Sequence, residues 1–140
     1  MKEGWVVDAS VAIAWAHPAQ ASEESDRLLE QLRDGITLVV PVIWFHETAN
    51  ALLVLERRKR LRPEERKQAL LALKSLAIKV DHDGVENVFS RTSELAEAHG
   101  LSIYDATYLE LANREQLPLA SNDPPLRQAA MKCSVRLLLK

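Results

Sequence analysis

The chain has 140 residues, of which 47% are hydrophobic and 27% are charged, as expected for one globular domain with a real core and no room for a second. The formal net charge of −2 excludes attraction of nucleic acid by the overall field of the protein, so any such binding would need a local basic patch or bound metal ions. Aromatic residues make up only 5%, which argues against the base-stacking platform of single-strand binders.

The cysteine content and the apolar runs suggest where the protein resides. Cys133 is the one cysteine and the four histidines are scattered, so neither an internal disulfide nor a zinc-ligand spacing is present. Residues 1–7 lack the long apolar core of a signal peptide. No stretch approaches the roughly 20 apolar residues of a membrane span. We therefore expect a cytoplasmic protein without a membrane segment.

Short apolar runs alternate with amphipathic segments along the chain. The apolar runs predict strands at 5–7, 38–40, 78–80, 117–120 and 134–138. The segments with helical spacing predict helices at 8–15, 23–33, 43–58, 63–76, 85–99, 102–114 and 123–131. This alternation favours crossover connections and therefore an α/β fold with a mainly parallel sheet. Because no linker, repeat or low-complexity segment interrupts the order, residues 1–140 are expected to form a single domain.

Four acidic residues lie where an apolar run gives way to a helical one: Asp8, Glu47, Asp105 and Asp123. Ligands of open parallel sheets bind outside the carboxyl ends of the strands, so we expect these carboxylates to meet at one sheet edge. Two carboxylates about 4 Å apart repel by roughly 4 kcal/mol at an effective dielectric of 20, and protons or cations must neutralise such a cluster. Oxygen ligands suit hard ions such as Mg²⁺ or Mn²⁺, which points to metal-assisted phosphodiester chemistry.

Each acidic residue also has a structural explanation. Asp8 and Asp123 are well placed to cap helices, and Asp105 completes a capping box with Ser102. Glu47 and Asp105 fit a solvated position poorly, because their predicted helix faces are apolar and a buried carboxylate is costly unless it is paired or binds a metal. The apolar neighbours on those faces are Ile43, Trp44, Ala51 and Val54 for the first, and Tyr108, Leu109 and Ala112 for the second. A buried pair between either carboxylate and an inward arginine is the remaining structural alternative.

Four short motifs together resemble those of the PIN-domain family. They are Val6-Val7-Asp8-Ala9-Ser10, Pro41 followed by Glu47 and Asn50-Ala51-Leu52, Tyr104-Asp105-Ala106 with Tyr108 and Ala112, and Leu119-Ala120-Ser121-Asn122-Asp123. They occur in the family's order and span residues 6–130, nearly the whole chain. The small size of the chain is similar to that of VapC-type toxins of toxin–antitoxin pairs.

This resemblance implies a divalent-metal-dependent endoribonuclease with a three-layer α/β/α fold. It also implies a homodimer and inhibition by a small VapB-type antitoxin. By position, Asp8, Glu47, Asp105 and Asp123 match the four acidic residues of the family's site. We expect Mg²⁺ or Mn²⁺ to be bound most directly by Asp8 and Asp105, and by Glu47 and Asp123 directly or through water.

Two hydroxyl residues, Ser10 and Ser121, match further positions of the family's site. We expect them to orient a water molecule or a phosphate oxygen. The chain departs from the family's pattern at Pro124-Pro125, where more polar or basic residues would be expected after the fourth acid. Two prolines would stiffen this loop and alter how Asp123 contacts the metal or the substrate, which bears on whether activity is retained. Asn122 is the obvious substitute for Asp123 in that case.

The densest basic run of the chain is Arg57-Arg58-Lys59-Arg60, followed by Arg62. It is a candidate for RNA contact, because phosphate needs positive charge beyond the metal ions. The alternative is a solvated helix end, where cations favour the helix dipole. The run begins ten residues beyond Glu47, or about 15 Å along a helix axis.

Other functions fit the sequence less well. A response-regulator receiver domain needs paired acids after the first strand and a lysine after a late strand, and a phosphatase of the HAD type needs an Asp-x-Asp where Asp8-Ala9-Ser10 stands. A DNA structure-specific nuclease is the nearest enzymatic alternative, but it usually carries insertions for which 140 residues leave little room. A catalytically inactive PIN-like module that only binds a partner also remains open.

Overall fold

The computed structural model describes residues 3–139. The strands are β1 (Gly4–Val7), β2 (Thr37–Pro41), β3 (Ile78–Asp81) and β4 (Leu119–Ala120). The α-helices are α1 (Ala9–Ala16), α2 (Glu23–Arg33), α3 (Ile43–Arg57), α4 (Pro63–Lys74), α5 (Ser93–His99), α6 (Ile103–Glu115) and α7 (Pro124–Lys132). No helix of this part of the chain is both long and apolar enough to cross a membrane.

The four strands form one parallel sheet in the order β3-β2-β1-β4. The chain builds outward from β1 to β2 and β3, and then returns to place β4 on the other side of β1. The strand order therefore reverses between β1 and β4, and ligands of open α/β sheets bind at such a reversal, outside the carboxyl ends of the strands. Asp8 directly follows β1, and Ser121 directly follows β4.

Helices cover the sheet in a three-layer α/β/α arrangement, as the resemblance implied. Helix α1 packs against α2, α3 and α4, while α6 contacts β1, β2 and β4 as well as α5 and α7. Strand β1 is buried along its whole length, because it is central in the sheet and has helices on both faces. This central position fixes the residue that follows β1 more firmly than an edge strand would.

A network around Arg114 fastens the end of α6 to β3. Its guanidinium donates to Asp81 Oδ2 at 2.7 Å and to Glu110 Oε2 at 2.8 Å, and the Asn87 amide donates to Glu110 Oε1 at 3.2 Å. Glu110 is 4% exposed, so removal of the arginine would leave a buried carboxylate without its cation. A methyl group on Gly84 would lie 2.7 Å from Asp81 Oδ2, so this close approach requires glycine.

Two element predictions were wrong in part. Residues 85–99, expected as one helix, form the end of a 3-10 helix (Asp83–Asn87), a π-helix (Val88–Thr92) and then α5. The Ser93 hydroxyl donates to the Val88 carbonyl at 2.6 Å, a contact that fits the wider turn. The strand expected at 134–138 is reduced to one parallel bridge between Leu119 and Leu137, because β4 is only two residues long and offers little edge to pair with.

Candidate active site

Asp8 lies at the centre of the sheet edge and is fixed on both sides. Its backbone N–H donates to the Ala120 carbonyl at 3.1 Å, which continues the pairing of β1 with β4. Its carboxylate accepts from the Val11 N–H at 3.3 Å and so caps α1. The residue is only 4% exposed. The capping role expected from the sequence therefore coexists with a buried position at the edge where ligands bind.

Two serine hydroxyls hold the Asp8 carboxylate. The Ser10 hydroxyl donates to Oδ1 at 2.5 Å and the Ser121 hydroxyl donates to Oδ2 at 2.5 Å. Each serine oxygen in turn accepts a backbone N–H, from Asn122 at 2.9 Å and from Asp123 at 3.0 Å respectively. Two of these four hydrogen bonds, Ser121 to Asp8 and Asn122 to Ser10, join the segment after β1 to the segment after β4, more than one hundred residues away in the sequence.

Burial dominates the electrostatics of Asp8. It raises the pKa of the carboxyl to about 6, against the opposing effect of the hydrogen bonds from Ser10, Ser121 and the Val11 N–H. The negative charge of Asp105 adds to the rise. An ionised Asp8 is therefore costly in the protein alone, and a bound cation would relieve that cost.

Asp105 lies in the first turn of α6 and feels the other acidic residues. Burial, followed by the charges of Asp123 and Glu47, raises the pKa of this half-buried carboxyl. The Ser102 hydroxyl accepts from the Asp105 N–H at 3.0 Å and caps the helix. A capping box would also need a hydrogen bond from the Ser102 N–H to the Asp105 carboxylate. Among the hydrogen bonds of residues 3–139 there is none of this kind, so only half of the expected capping box is formed.

Glu47 lies on the flank of α3 and is half-buried, whereas the buried stripe of this helix is Trp44, Thr48 and Leu52. Glu47 is buried to the same degree as Ile43, Ala51 and Val54 of the face expected for it, and Trp44 of that face is fully buried. Its Oε1 accepts a hydrogen bond of 2.6 Å from the Tyr108 hydroxyl. None of the ion pairs among the described residues involves Glu47 or Asp105, so the inward arginine considered as an alternative is not found there.

Asp123 caps α7 and is half-buried beside Asp105. Its Oδ2 accepts from the Leu126 N–H at 3.1 Å, with exposed Pro124 and Pro125 in the first turn of the helix. The Asn122 side chain is exposed. The charge on Asp123 is the largest contribution after burial to the raised pKa of Asp105. With the two prolines in place, Asp123 therefore caps α7 and still lies close enough to Asp105 for its charge to act there.

The donor chemistry of this site fits a hard divalent cation with water in part of its coordination shell. Four carboxylates approach one another closely enough for Asp105 to be affected by Glu47 and Asp123, and Asp8 by Asp105. Within residues 3–139, however, no three acidic, histidine or cysteine side chains form a ready-made ligand set. Mg²⁺ keeps several waters and uses one or two carboxylates, so a direct cage of protein ligands is not needed.

The basic run stands at the far end of α3 and in the turn that follows. All four of its residues are exposed, and none takes part in an ion pair among the described residues: Arg57, Arg58, Lys59 and Arg60. The neighbouring arginines differ, because Arg66 pairs with Glu56 at 2.8 Å and Arg62 pairs with Glu65 at 3.1 Å. The four cations are therefore available to an external anion.

Two residues for which the sequence predicted no role in the site hold its parts in place. Tyr108 joins α6 to Glu47 on α3, and Arg127 on α7 donates to the carbonyls of Ser121 and Leu139, both at 2.9 Å. Tyr108 follows Asp105 by three residues, which places both on one helix face, but its partner on α3 is 61 positions away. The sequence carries no signal for a contact of that kind.

Comparisons with known proteins agree with this architecture. The family model described as "PIN domain" matches residues 5–132. Ribonuclease VapC3 of Pyrobaculum aerophilum is 36% identical over 111 residues, which make up 78% of this chain and 81% of that protein.

Two solved structures share the fold at low sequence identity. One is VapBC2 from Rickettsia felis bound to a DNA fragment from its promoter, with a TM-score of 0.65, 15% identity and coverage of 96% of both chains. The other is VapC20 of Mycobacterium tuberculosis, described as a sarcin–ricin loop cleaving toxin, with a TM-score of 0.63, 19% identity and coverage of 89% of this chain and 94% of that one. The match of the family model over most of the chain, together with the VapC3 relative, shows that this protein belongs to the PIN-domain family as a VapC-type member.

Proposed function

We propose that the protein is a divalent-metal-dependent endoribonuclease and the toxin of a toxin–antitoxin pair. The observation that carries this proposal is the position of Asp8 at the reversal point of the parallel sheet, with Asp105 close enough to raise its pKa. Glu47 and Asp123 in turn are close enough to raise the pKa of Asp105. Family membership and the relative named as a ribonuclease support the reaction class.

The residues of the site have distinct roles in this proposal. Asp8 and Asp105 hold Mg²⁺ or Mn²⁺ most directly, and Glu47 and Asp123 complete the site directly or through water. The bound ion supplies an activated water and stabilises charge on the phosphate in an in-line displacement. Ser10 and Ser121 orient Asp8 through their hydroxyl protons. Their oxygens also accept hydrogen bonds from backbone N–H groups. To orient a water molecule or a phosphate oxygen as well, each serine hydroxyl would have to share its hydrogen bonds with that ligand.

Partners of the protein follow from its surface and its relatives. The exposed cations Arg57, Arg58, Lys59 and Arg60 contact the RNA backbone in this proposal. We further propose a homodimer that a small VapB-type antitoxin binds in the cytoplasm. The solved VapBC2 structure, which shares this fold, supports the antitoxin as a partner. An apolar surface patch formed by Val42, Val85, Ile103 and Tyr104 offers a surface for such a partner.

The test is cleavage of a pool of structured and single-stranded RNA by the antitoxin-free protein in Mn²⁺ or Mg²⁺, and then in EDTA. Asp105→Asn should lower the rate by at least about 100-fold, because loss of a metal ligand should exceed the 10–100-fold typical of groups that only support a ligand. Asp34→Asn is the matched control, because Asp34 is exposed at the end of α2, outside the site.

Metal-dependent cleavage that Asp105→Asn abolishes and Asp34→Asn retains would support the nuclease site and begin to identify the RNA. Cleavage that survives in EDTA, or in a folded Asp105→Asn protein, would contradict it. Metal-dependent cleavage of branched DNA without cleavage of RNA would favour the DNA structure-specific alternative. A folded protein that binds metal but cleaves neither substrate would favour the partner-binding module.

A further inference from the structure

The contact between Tyr108 and Glu47 is the one side-chain hydrogen bond that joins two of the helices bearing the acidic residues, among the bonds of residues 3–139. The Tyr108 hydroxyl donates to Glu47 Oε1 at 2.6 Å, a short distance typical of a neutral donor on a carboxylate. Tyr108 is 1% exposed, so its ring is held by packing. The donor is therefore fixed, and the more exposed glutamate is the side chain that it orients.

The hydrogen bond divides the two oxygens of Glu47 between two tasks. Oε1 is occupied by the tyrosine, whereas Oε2 accepts no hydrogen bond from the described part of the chain. The Tyr108 hydroxyl makes no other hydrogen bond among the described residues, so its proton is directed at Glu47 Oε1. A glutamate with one oxygen fixed and the other open is prepared to bind a cation or an ordered water.

Tyr108 and Asp105 lie on one face of α6, one helical turn apart. The charges of both Glu47 and Asp105 act on Tyr108, and the charge of Glu47 acts on Asp105. One face of α6 therefore carries an acidic residue of the site and also the donor that orients a second acidic residue on α3. Any shift of α6 against α3 would change both at once.

We propose that Tyr108 is a positioning residue of the metal site, which holds Glu47 Oε1 so that Oε2 is presented to the divalent cation or its water. This inference rests on the proposed function, because it assigns a role toward the cation of that site. The competing explanation is that the hydrogen bond only satisfies a buried hydroxyl, as most buried polar groups require. The two explanations differ in one measurable property, the affinity of the protein for the cation.

The test is Mn²⁺ affinity of the full antitoxin-free chain, measured by electron paramagnetic resonance of the free ion. Tyr108→Phe keeps the ring and removes only the donor, and the expected result is Mn²⁺ binding weaker by about 10-fold, as for other groups that support a metal ligand. Ser75→Ala is the control, because it also removes one hydroxyl donor, from an exposed residue at the end of α4 that donates to the Ala72 carbonyl at 2.6 Å. The affinity of this variant should equal that of the wild type.

A double-mutant cycle separates action through Glu47 from any independent effect. In the Glu47→Gln background, Tyr108→Phe should cause no further loss of Mn²⁺ affinity, because the carboxylate that it orients is already gone. Unchanged affinity in the single variant, or a further 10-fold loss in the Glu47→Gln background, would overturn the proposal. If Tyr108→Phe melts at a lower temperature than the wild type in EDTA but binds Mn²⁺ with the same affinity, the hydrogen bond has a purely structural role.

The same measurements distinguish failure of this inference from failure of the proposed function. If the folded wild type binds no Mn²⁺, both are overturned together. If the wild type binds Mn²⁺, Asp105→Asn weakens the binding and Tyr108→Phe does not, only the role of Tyr108 is overturned. If Tyr108→Phe and Glu47→Gln weaken binding to a similar extent and not additively, the positioning role is supported.

Discussion

Asp8 combines three roles in one side chain. It caps α1, it accepts hydrogen bonds from the hydroxyls of Ser10 and Ser121, and its carboxyl feels the negative charge of Asp105. Each hydrogen bond favours the ionised form, yet burial opposes it more strongly and raises the pKa to about 6. The hydrogen bonds therefore fix the position of the Asp8 carboxyl, while burial disfavours its ionised form. A bound cation would favour the ionised form.

Asp8→Asn should stabilise the metal-free protein at pH 7.5 and leave its stability near pH 4 almost unchanged. The pKa of Asp8 is about 6 in the folded state, against 3.8 for an aspartate side chain in water, so the folded state binds the proton more tightly. The contribution of this group to the free energy of unfolding is fully present below about pH 4 and is lost as the pH rises through about 6. The total loss is about 3 kcal/mol. Thermal melting in EDTA across this range measures the difference between the two proteins.

Divalent cation should reverse the order of stability of the same two proteins. Saturating Mn²⁺ should raise the melting temperature of the wild type and have little effect on Asp8→Asn, because a ligand stabilises only the state that binds it. An Asp8→Asn protein less stable than the wild type at every pH in EDTA would contradict the burial argument.

Helix α3 spans the distance between the acidic cluster and a basic turn. Glu47 lies near its start, and the exposed run Arg57-Arg58-Lys59-Arg60 lies at its end. The axis between them is about 15 Å, a distance that several nucleotides of extended RNA would cover. The helix therefore holds the proposed metal site and the proposed phosphate contacts at a fixed separation, because both belong to one rigid element.

Reversal of two charges in this turn should flatten the salt dependence of RNA binding. Arg58→Glu with Arg60→Glu should reduce the slope of log affinity against log salt by about 1 to 2, since each lost phosphate contact removes roughly 0.7 to 1. Fluorescence anisotropy in the Asp105→Asn background prevents cleavage during the titration. Arg27→Glu with Arg33→Glu on α2 changes the net charge equally, and an equal reduction there would show that only overall charge matters.

At the scale of the whole molecule, the sheet order decides which residues meet. Because β4 returns to pair with β1, the loop after Ala120 comes to lie beside Asp8. The network around Arg114 fixes α6 to β3 at the other end of the helix that carries Asp105 and Tyr108. The candidate site is therefore built from four chain segments that only the complete fold brings together.

The apolar patch formed by Val42, Val85, Ile103 and Tyr104 should form the interface of the proposed homodimer. Val42, Val85, Ile103 and Tyr104 line one hollow, and Phe89 nearby is 98% exposed, so contact with a second copy would remove exposed apolar surface from water. Light scattering of the antitoxin-free protein should give about twice the 15.7 kDa mass of the chain.

Val85→Ser with Phe89→Ser should yield a folded monomer, because Val85 is the most exposed large apolar residue that lines the hollow and Phe89, four positions further along the chain, is 98% exposed. Leu71→Ser is the control, since Leu71 is a similarly exposed apolar residue on α4, and this variant should remain dimeric. A monomeric wild type, or a dimer unaffected by the double substitution, would contradict this interface.

The sequence by itself determined the class of fold, most element boundaries and the candidate acidic residues. Local patterns carry that information: the Pro63 start and the Gly35 end of helices, the buried strand runs, and the side-chain oxygens that cap α1, α6 and α7. Conformation at 85–99 escaped these patterns, because the choice between α, 3-10 and π turns depends on contacts such as Ser93 with Val88. The short β4 likewise reduced the predicted last strand to a single bridge.

Only the tertiary structure decided what the acidic residues contact. Whether Asp8 binds water or serine, and whether Glu47 meets an arginine or Tyr108, depends on segments 61 and 113 positions away. The degree of burial that raises the pKa of Asp8 also depends on the packing of both layers of helices over the sheet. Sequence spacing describes one element at a time, and such distances and electric fields arise only where several elements meet.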